Sequence, residues 1–429
     1  MTSHAKLSPS SAHRWMQCAG SLILEKDIAD TRSEHADEGT AAHFLASECL
    51  EQVKNATDFL NCFIGIKKGN AYWLDTAFDD NQSRFTVDLE MSENVQKYLD
   101  AVRSQADGNE LLVEQRVDFS DFIGVENSFG TSDAVVLTAN EIQIHDLKYG
   151  RGVKVNADDN EQLKLYALGA LNNFGMFGDF KQVRQVIHQP RLGHTSESVL
   201  TVEELYAFAQ EAKYQVNIIR SLEEGLDCGD GGSIADFESS FNPGEKQCQW
   251  CKAKATCPAL TQHVLETVAG EFEDLDAIEI NAQIDIATGE VSSLENTRLS
   301  KLFSAIPLIE NWIKAVSGAV HNKLHAGESV PGFKVVQGKQ GNRAWANPEE
   351  AEQLLKSMRL KTDQMYDLRL ISPTTAEKLK KENVIGVRQW TKVEAMITRA
   401  DGKPTVVPES DKRPALNLNP QNDFENLDQ

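Results

Sequence analysis

The chain has 429 residues, 41% of them hydrophobic and 25% charged, with a formal net charge of −22. That length predicts two or three domains, and the balance excludes collagen-like, low-complexity and membrane-embedded classes. The acid excess argues against a broad basic nucleic-acid surface, but a local groove assisted by metal ions still permits DNA as a substrate.

No apolar run reaches the roughly 20 residues of a membrane span, so no membrane partner is expected. The opening MTSHAKLSPSSAHRW has no signal-peptide core, which predicts a cytoplasmic protein. Ser8 or Ser10 is expected to cap a short helix carrying Trp15 and Cys18 towards its far end. Residues 34–53 predict a helix, with Ala42, Leu45, Ala46, Cys49 and Leu50 as its apolar stripe and His43 on it. Residues 55–90 are irregular and polar, a hairpin or an insertion, and 91–106 predict another helix. A strand is expected from Leu111, with Glu114 near its middle. Two more, Ser132–Thr138 and Glu141–Leu147, are joined by a tight Thr-Ala-Asn turn. A helix over 159–172, a strand over 182–189 and a helix from Val202 follow, the last with Thr201 and Glu204 as a capping box. This order predicts an α/β core, a central mixed sheet flanked by helices.

A cysteine-rich segment occupies 243–258, and 266–298 is an acidic linker or edge segment. Residues 299–398 are expected to form a smaller α+β module. It would hold an amphipathic helix (Ser300–Leu324, with Trp312), a strand pair over 331–345 and helices over 348–358 and 373–382, the last capped by Ser372. Residues 399–429 are expected to be a disordered acidic tail.

Two carboxylates on adjacent strands, Asp133 and Asp146, can hold Mg²⁺ or Mn²⁺ through oxygen. The Leu147 carbonyl is a candidate third oxygen, and His43 and Glu114 can reach the site from neighbouring elements. Side chains alternate along a strand, so Lys148 shares the face of Asp146 while Leu147 points away. A lysine there can position water or offset negative charge on a phosphodiester. Gln162 and Tyr166, four residues apart, share one helix face. Asp-x-Lys alone is a common surface pattern; the order and separation of the set point to hydrolysis.

The cysteines stand at 18, 49, 62, 228, 248, 251 and 257. An odd number without a secretion signal argues against a disulfide framework. Cys248-x2-Cys251-x5-Cys257, with Cys18, is a candidate set for Zn²⁺ or a [4Fe–4S] cluster, and spacing does not choose between them.

These residues resemble the PD-(D/E)XK nuclease superfamily in its RecB-like branch. The matching pattern is His43 on a helix, Asp133 after Gly-x-x, Asp146-x-Lys148 and Gln162-x-x-x-Tyr166. The resemblance implies a restriction-endonuclease-like core over residues 1–265, with the histidine and both acids binding the catalytic ion and the lysine aiding catalysis. One early cysteine and three late ones resemble the iron–sulfur staple of AddB-type nucleases, which implies a [4Fe–4S] cluster on Cys18, Cys248, Cys251 and Cys257, with zinc as the alternative. Leu7-Ser-Pro-Ser-Ser-Ala-His-Arg-Trp-x-x-Cys18, Pro331-Gly-Phe-Lys-Val-Val and Lys403-Pro-Thr-Val-Val-Pro resemble the phage and prophage family DUF2800.

Together they imply a metal-dependent DNA nuclease, exonuclease rather than endonuclease, in phage recombination or DNA processing inside an infected or lysogenic bacterium. Its partners would be DNA and a phage recombinase, a single-strand-binding protein or a helicase, since no P-loop is present. The alternative is a catalytically silent nuclease fold that binds DNA or a partner. In the C-terminal module, Lys334, Lys339, Arg343 and Trp345 about a Gly-rich turn, and the basic stretch 361–392, are candidate DNA contacts or solvated faces.

Overall fold

The computed structural model describes residues 7–28, 33–74, 83–227, 239–269, 295–334, 372–382 and 384–397, with 349, 353, 356 and 357. Most of the strand pair at 331–345 and of the helix at 348–358 lies outside the described residues. So do 270–294 and the tail. The chain divides into two compact units, 1–336 and 337–429. No described helix is long and apolar enough to cross a membrane.

The first unit is built in chain order from α1 (Ala12–Trp15), α2 (Gly20–Glu25), α3 (Glu34–Glu51), β1 (Phe63–Lys67), β2 (Asn70–Leu74), β3 (Ser83–Thr86), α4 (Leu89–Ala106), β4 (Glu110–Asp118), α5 (Ser120–Ile123), β5 (Phe129–Leu137), β6 (Glu141–Leu147), α6 (Glu161–Phe174), β7 (Gln182–Gln189), β8 (His194–Thr201), α7 (Val202–Asp227), α8 (Glu245–Gln249), α9 (Pro258–Ala269) and α10 (Asn296–His325). Side-chain caps start the helices that frame the sheet. Ser33 accepts the Ala36 N–H at 3.2 Å, Asp88 that of Met91 at 2.7 Å, and Asn160 that of Leu163 at 3.1 Å. Thr201 and Glu204 exchange the two bonds of a capping box at the head of α7.

The main sheet runs β4-β5-β6-β7-β8. Neighbours are antiparallel except β6 and β7, which are parallel because α6 carries the chain back between them. One face packs Val135, Ile142, Ile144, Val183 and Ile187 against α6, α7 and Trp15. The other packs Ala134 and Leu147 against Leu45, Val95 and Leu99 of α3 and α4. Covered on both sides, β6 is buried along its whole length, while the edge strand β8 alternates half-buried with exposed. Each fully buried aliphatic side chain contributes roughly 1.5–3 kcal/mol.

Several expectations are corrected. Neither Ser8 nor Ser10 caps α1. A 3₁₀ turn over Pro9–Ser11 precedes it, Ser8 Oγ pairs with Ser10 Oγ, and the Ser8 carbonyl accepts the Trp15 indole N–H. α1 ends at Trp15, so Cys18 lies in the turn before α2. The described part of the stretch 55–90 is regular rather than irregular: it holds the expected hairpin, β1–β2, which β3 extends into an antiparallel sheet β2-β1-β3 packed on α3. Strand β8 was not expected. α10, expected at the head of the C-terminal module, instead buries Leu308 and packs Trp312 against Leu260 and Val264 beside the cysteine segment. Its apolar face completes that small core, and the first compact unit runs to residue 336.

Candidate active site and cysteine cavity

The β4–β5 and β5–β6 ladders both break at Asp133. Val113 pairs with Ala134 and Gln115 with Ser132, but Glu114, between them, is unpaired and carries φ +46°. A non-glycine residue in that region stores backbone strain, which clusters at functional sites. On the other side, pairing ends at Ala134 and His145. There the Asp133 carboxylate takes over from the backbone: Oδ2 accepts the Leu147 N–H at 2.7 Å, and Oδ1 lies 3.0 Å from His43 Nδ1. His43, Glu114 and Asp133 each bring a ligand atom within 4.8 Å of the others.

Asp146 and Lys148 project from the end of β6 towards α6, and Leu147 points the other way into the second core. Lys148 Nζ donates to Asp146 Oδ1 at 3.0 Å and to Gln162 Oε1 at 3.2 Å. Gln162 Nε2 donates to Asp146 Oδ1 at 3.3 Å and to the Tyr166 hydroxyl at 3.1 Å. Asp146 Oδ2 is 2.9 Å from Lys148 Nζ, yet it is buried and accepts no bond in hydrogen-bonding geometry. Gly130 admits Tyr166 to this arrangement. A Cβ at that position would stand 2.5 Å from a Tyr166 ring carbon and 2.8 Å from Pro9.

The charges divide unequally. Burial opposes the charged form of His43, but Asp133 raises its pKa to about 9. Burial likewise opposes ionisation of Asp133, and His43 with the Leu147 N–H holds it below the usual carboxylate range. Burial raises Asp146, and the Asp133 charge adds to that against Lys148. Lys148 is raised because Asp146 outweighs its burial. Burial and Asp133 push Glu114 up to about 7, though the residue itself is exposed and solvent screens part of that repulsion. Crowded carboxylates with one unsatisfied buried oxygen and one imidazole suit a divalent cation, which relieves their repulsion.

The four expected cysteines line one cavity with Phe241 and Lys254. Three of the sulfurs face backbone N–H groups: Asn242 to Cys18 at 3.5 Å, Gly244 to Cys248 at 3.4 Å and Leu260 to Cys257 at 3.4 Å. Burial pushes Cys248 up to about 11 and Cys251 to about 12, so the thiols ionise only with a compensating cation. Four thiols lining one cavity, three of them facing N–H donors, have the donor chemistry of a thiolate-bound metal or cluster.

Nothing in local sequence marked the residues that brace these sites. Arg14 and Glu25 form a buried ion pair at 2.8 Å. Arg14 donates to the Trp250 carbonyl at 3.1 Å, and Glu25 accepts the Lys252 N–H at 2.6 Å. Arg191 pairs with Glu38 of α3 at 3.0 Å and Glu90 of α4 at 3.1 Å, and lies 4.6 Å over the ring of Tyr149, next to Lys148. In the second unit, Lys378, Lys380 and Lys381 lie on the helix Pro373–Lys381, and Arg388 and Lys392 on Val387–Glu394. Lys380 covers the Trp390 ring at 4.7 Å. Lys339, Arg343, Trp345, Lys361 and Arg369 lie outside the described residues.

A family model described as "Protein of unknown function (DUF2800)" matches residues 4–414. Among solved structures, the "Crystal structure of SSO0001" is similar at 14% identity, covering 55% of this chain and 92% of that one, with a TM-score of 0.21.

Proposed function

The chain belongs to the DUF2800 family, and we propose that it is a metal-dependent deoxyribonuclease with a PD-(D/E)XK core of the RecB-like type, acting as an exonuclease in phage recombination or DNA processing. One observation carries this. Residues spread from 43 to 166 converge as an imidazole and carboxylate group around Asp133, beside an Asp146–Lys148–Gln162 triangle. His43, Glu114, Asp133 and Asp146 would hold Mg²⁺ or Mn²⁺, with the Leu147 carbonyl as a further candidate ligand. When bound, that ion supplies charge neutralisation at a phosphodiester and acidity to water.

The chain's own residues do the rest. Lys148 is kept protonated by Asp146, so its ammonium can orient water or balance charge developing on a phosphate oxygen. Gln162 fixes that ammonium through its carbonyl oxygen, and Tyr166 fixes the Gln162 amide. Asp133 clamps the end of β6 through Leu147, which sets the spacing of the two acids. The cysteine cavity would hold a [4Fe–4S] cluster, or Zn²⁺ in its place, tying the start of the chain to the segment after the core. Closing so long a loop restrains the unfolded chain.

Degradation of end-labelled linear DNA with Mg²⁺ or Mn²⁺ tests the function. Wild type should degrade it, while Asp146→Ala and Lys148→Ala should fold and lose at least about 10²-fold in rate, as loss of a key electrostatic group does. Wild type that leaves DNA intact with either ion refutes the proposal.

A further inference from the structure

α10 ends in a hydrogen-bonded turn next to two imidazoles. Ala326 N–H bonds the Asn322 carbonyl at 2.9 Å and Glu328 N–H bonds that of Lys323 at 2.9 Å. Gly327, at φ +84°, takes the left-handed conformation that this closure needs. On that last turn His321 and His325, four residues apart, share a face. Their ring centroids are 4.2 Å apart and their Nε2 atoms 3.2 Å apart, and both side chains are open to solvent.

We propose that His321 and His325 chelate a nitrogen-preferring divalent cation of the nickel, copper and zinc class, at a site separate from the carboxylates and from the cysteines. The geometry is that of a chelate edge. With metal–nitrogen bonds of about 2.0–2.1 Å, two ligands stand about 2.9 Å apart at a right angle and about 3.4 Å apart at the tetrahedral angle. The observed 3.2 Å lies between those spans. The helix supplies the spacing before any ion arrives, so little side-chain ordering remains to be done on binding. The negative end of the helix lies at the same turn and favours a cation.

Ligand type selects the ion. Two imidazoles suit Ni²⁺, Cu²⁺ and Zn²⁺, whereas Mg²⁺ and Mn²⁺, proposed for the carboxylate site, prefer oxygen. Glu328, three residues past His325, lies 3.8 Å from Lys323 and is engaged there. Water fills the remaining coordination positions, which makes the site exchangeable rather than structural.

The test is acylation of histidines by diethyl pyrocarbonate in the full chain, read peptide by peptide, with Ni²⁺ alone, Mg²⁺ alone or neither. At a nickel concentration about ten times the dissociation constant, labelling of His321 and of His325 should slow together by about tenfold. Mg²⁺ should leave both unchanged. In His321→Ala, equilibrium dialysis should show one nickel fewer per chain, and His325 should lose its protection. A hydrogen-bonded pair with no ion affinity gives unchanged labelling under Ni²⁺, which overturns the proposal. So does protection of His325 that survives His321→Ala.

Discussion

Asp133 stands in for a backbone acceptor to Leu147. Its Oδ2 takes the Leu147 N–H at 2.7 Å at the point where β5 and β6 stop pairing. One carboxylate therefore serves both as a clamp on β6 and as a candidate metal ligand. The two duties separate by substitution.

Asp133→Ala strands that N–H, a loss of about 1–3 kcal/mol for a buried donor. Asp133→Asn keeps an amide oxygen for it and should show a smaller fall in urea midpoint, while both variants lose Mn²⁺ binding by calorimetry. Equal destabilisation by the two would show that charge, not the hydrogen bond, holds the strand end.

Behind the site lies a buried polar chain with a defined direction. Gln143 Nε2 donates to Glu141 at 2.8 Å, so its Oε1 faces His145 Nε2 at 3.2 Å and that nitrogen carries the proton. His145 Nδ1 then accepts from His188 Nε2 at 3.1 Å. Burial lowers His145 to about 3, aided by the neighbouring His188 and Arg184, and lowers His188 to about 4. The unfolded chain thus takes up protons first as pH falls below about 6.5. The contribution of these two histidines to stability should be flat above that pH and fall below it, at up to about 1.4 kcal/mol per pH unit per histidine, until the folded pKa values are reached. Urea midpoints of wild type and a His145→Leu/His188→Leu variant should diverge in slope between about pH 6.5 and 4. Parallel slopes would refute it.

Arg14 depends on Glu25. Glu25→Ala leaves the guanidinium buried without its partner, a loss of about 3–5 kcal/mol. It also removes the acceptor of the Lys252 N–H, next to Cys251. The thermal midpoint should drop, and iron or zinc per chain should fall with it. Glu25→Gln, which keeps an acceptor, should lose less of both. Unchanged metal content in Glu25→Ala would separate the ion pair from the cysteine cavity.

Protein purified without oxygen should be brown and contain iron. Cys18→Ser should bleach it, because Cys18 is the one proposed ligand supplied from before the core. A colourless protein with one zinc per chain would replace the cluster with zinc and leave the proposed nuclease untouched.

Much of the scaffold was legible along the chain because its signals are local. Alternation in 141–147, helical spacing through Ala42, Leu45 and Cys49, and the Thr201–Glu204 box all act within a few residues, and each element formed where expected. Strand β8 escaped notice: His194–Thr201 alternates, but with small polar residues on an edge, where one side faces solvent and few apolar groups are needed. α10 showed its amphipathic face, yet nothing in that face says which surface covers it.

The sequence by itself determined which residue types the sites have available, and in what order: the histidine, the acids, the lysine and the cysteines. Only the tertiary structure decided that Asp133 replaces a ladder carbonyl, that Glu114 takes a strained backbone beside it, and that Arg14 and Glu25 meet the Cys251 loop from more than 200 residues away in the chain. The reason is range. Caps and periodicity are set by neighbours a turn apart, whereas a buried carboxylate or ion pair is stabilised by partners that distant parts of the chain supply once they have folded together.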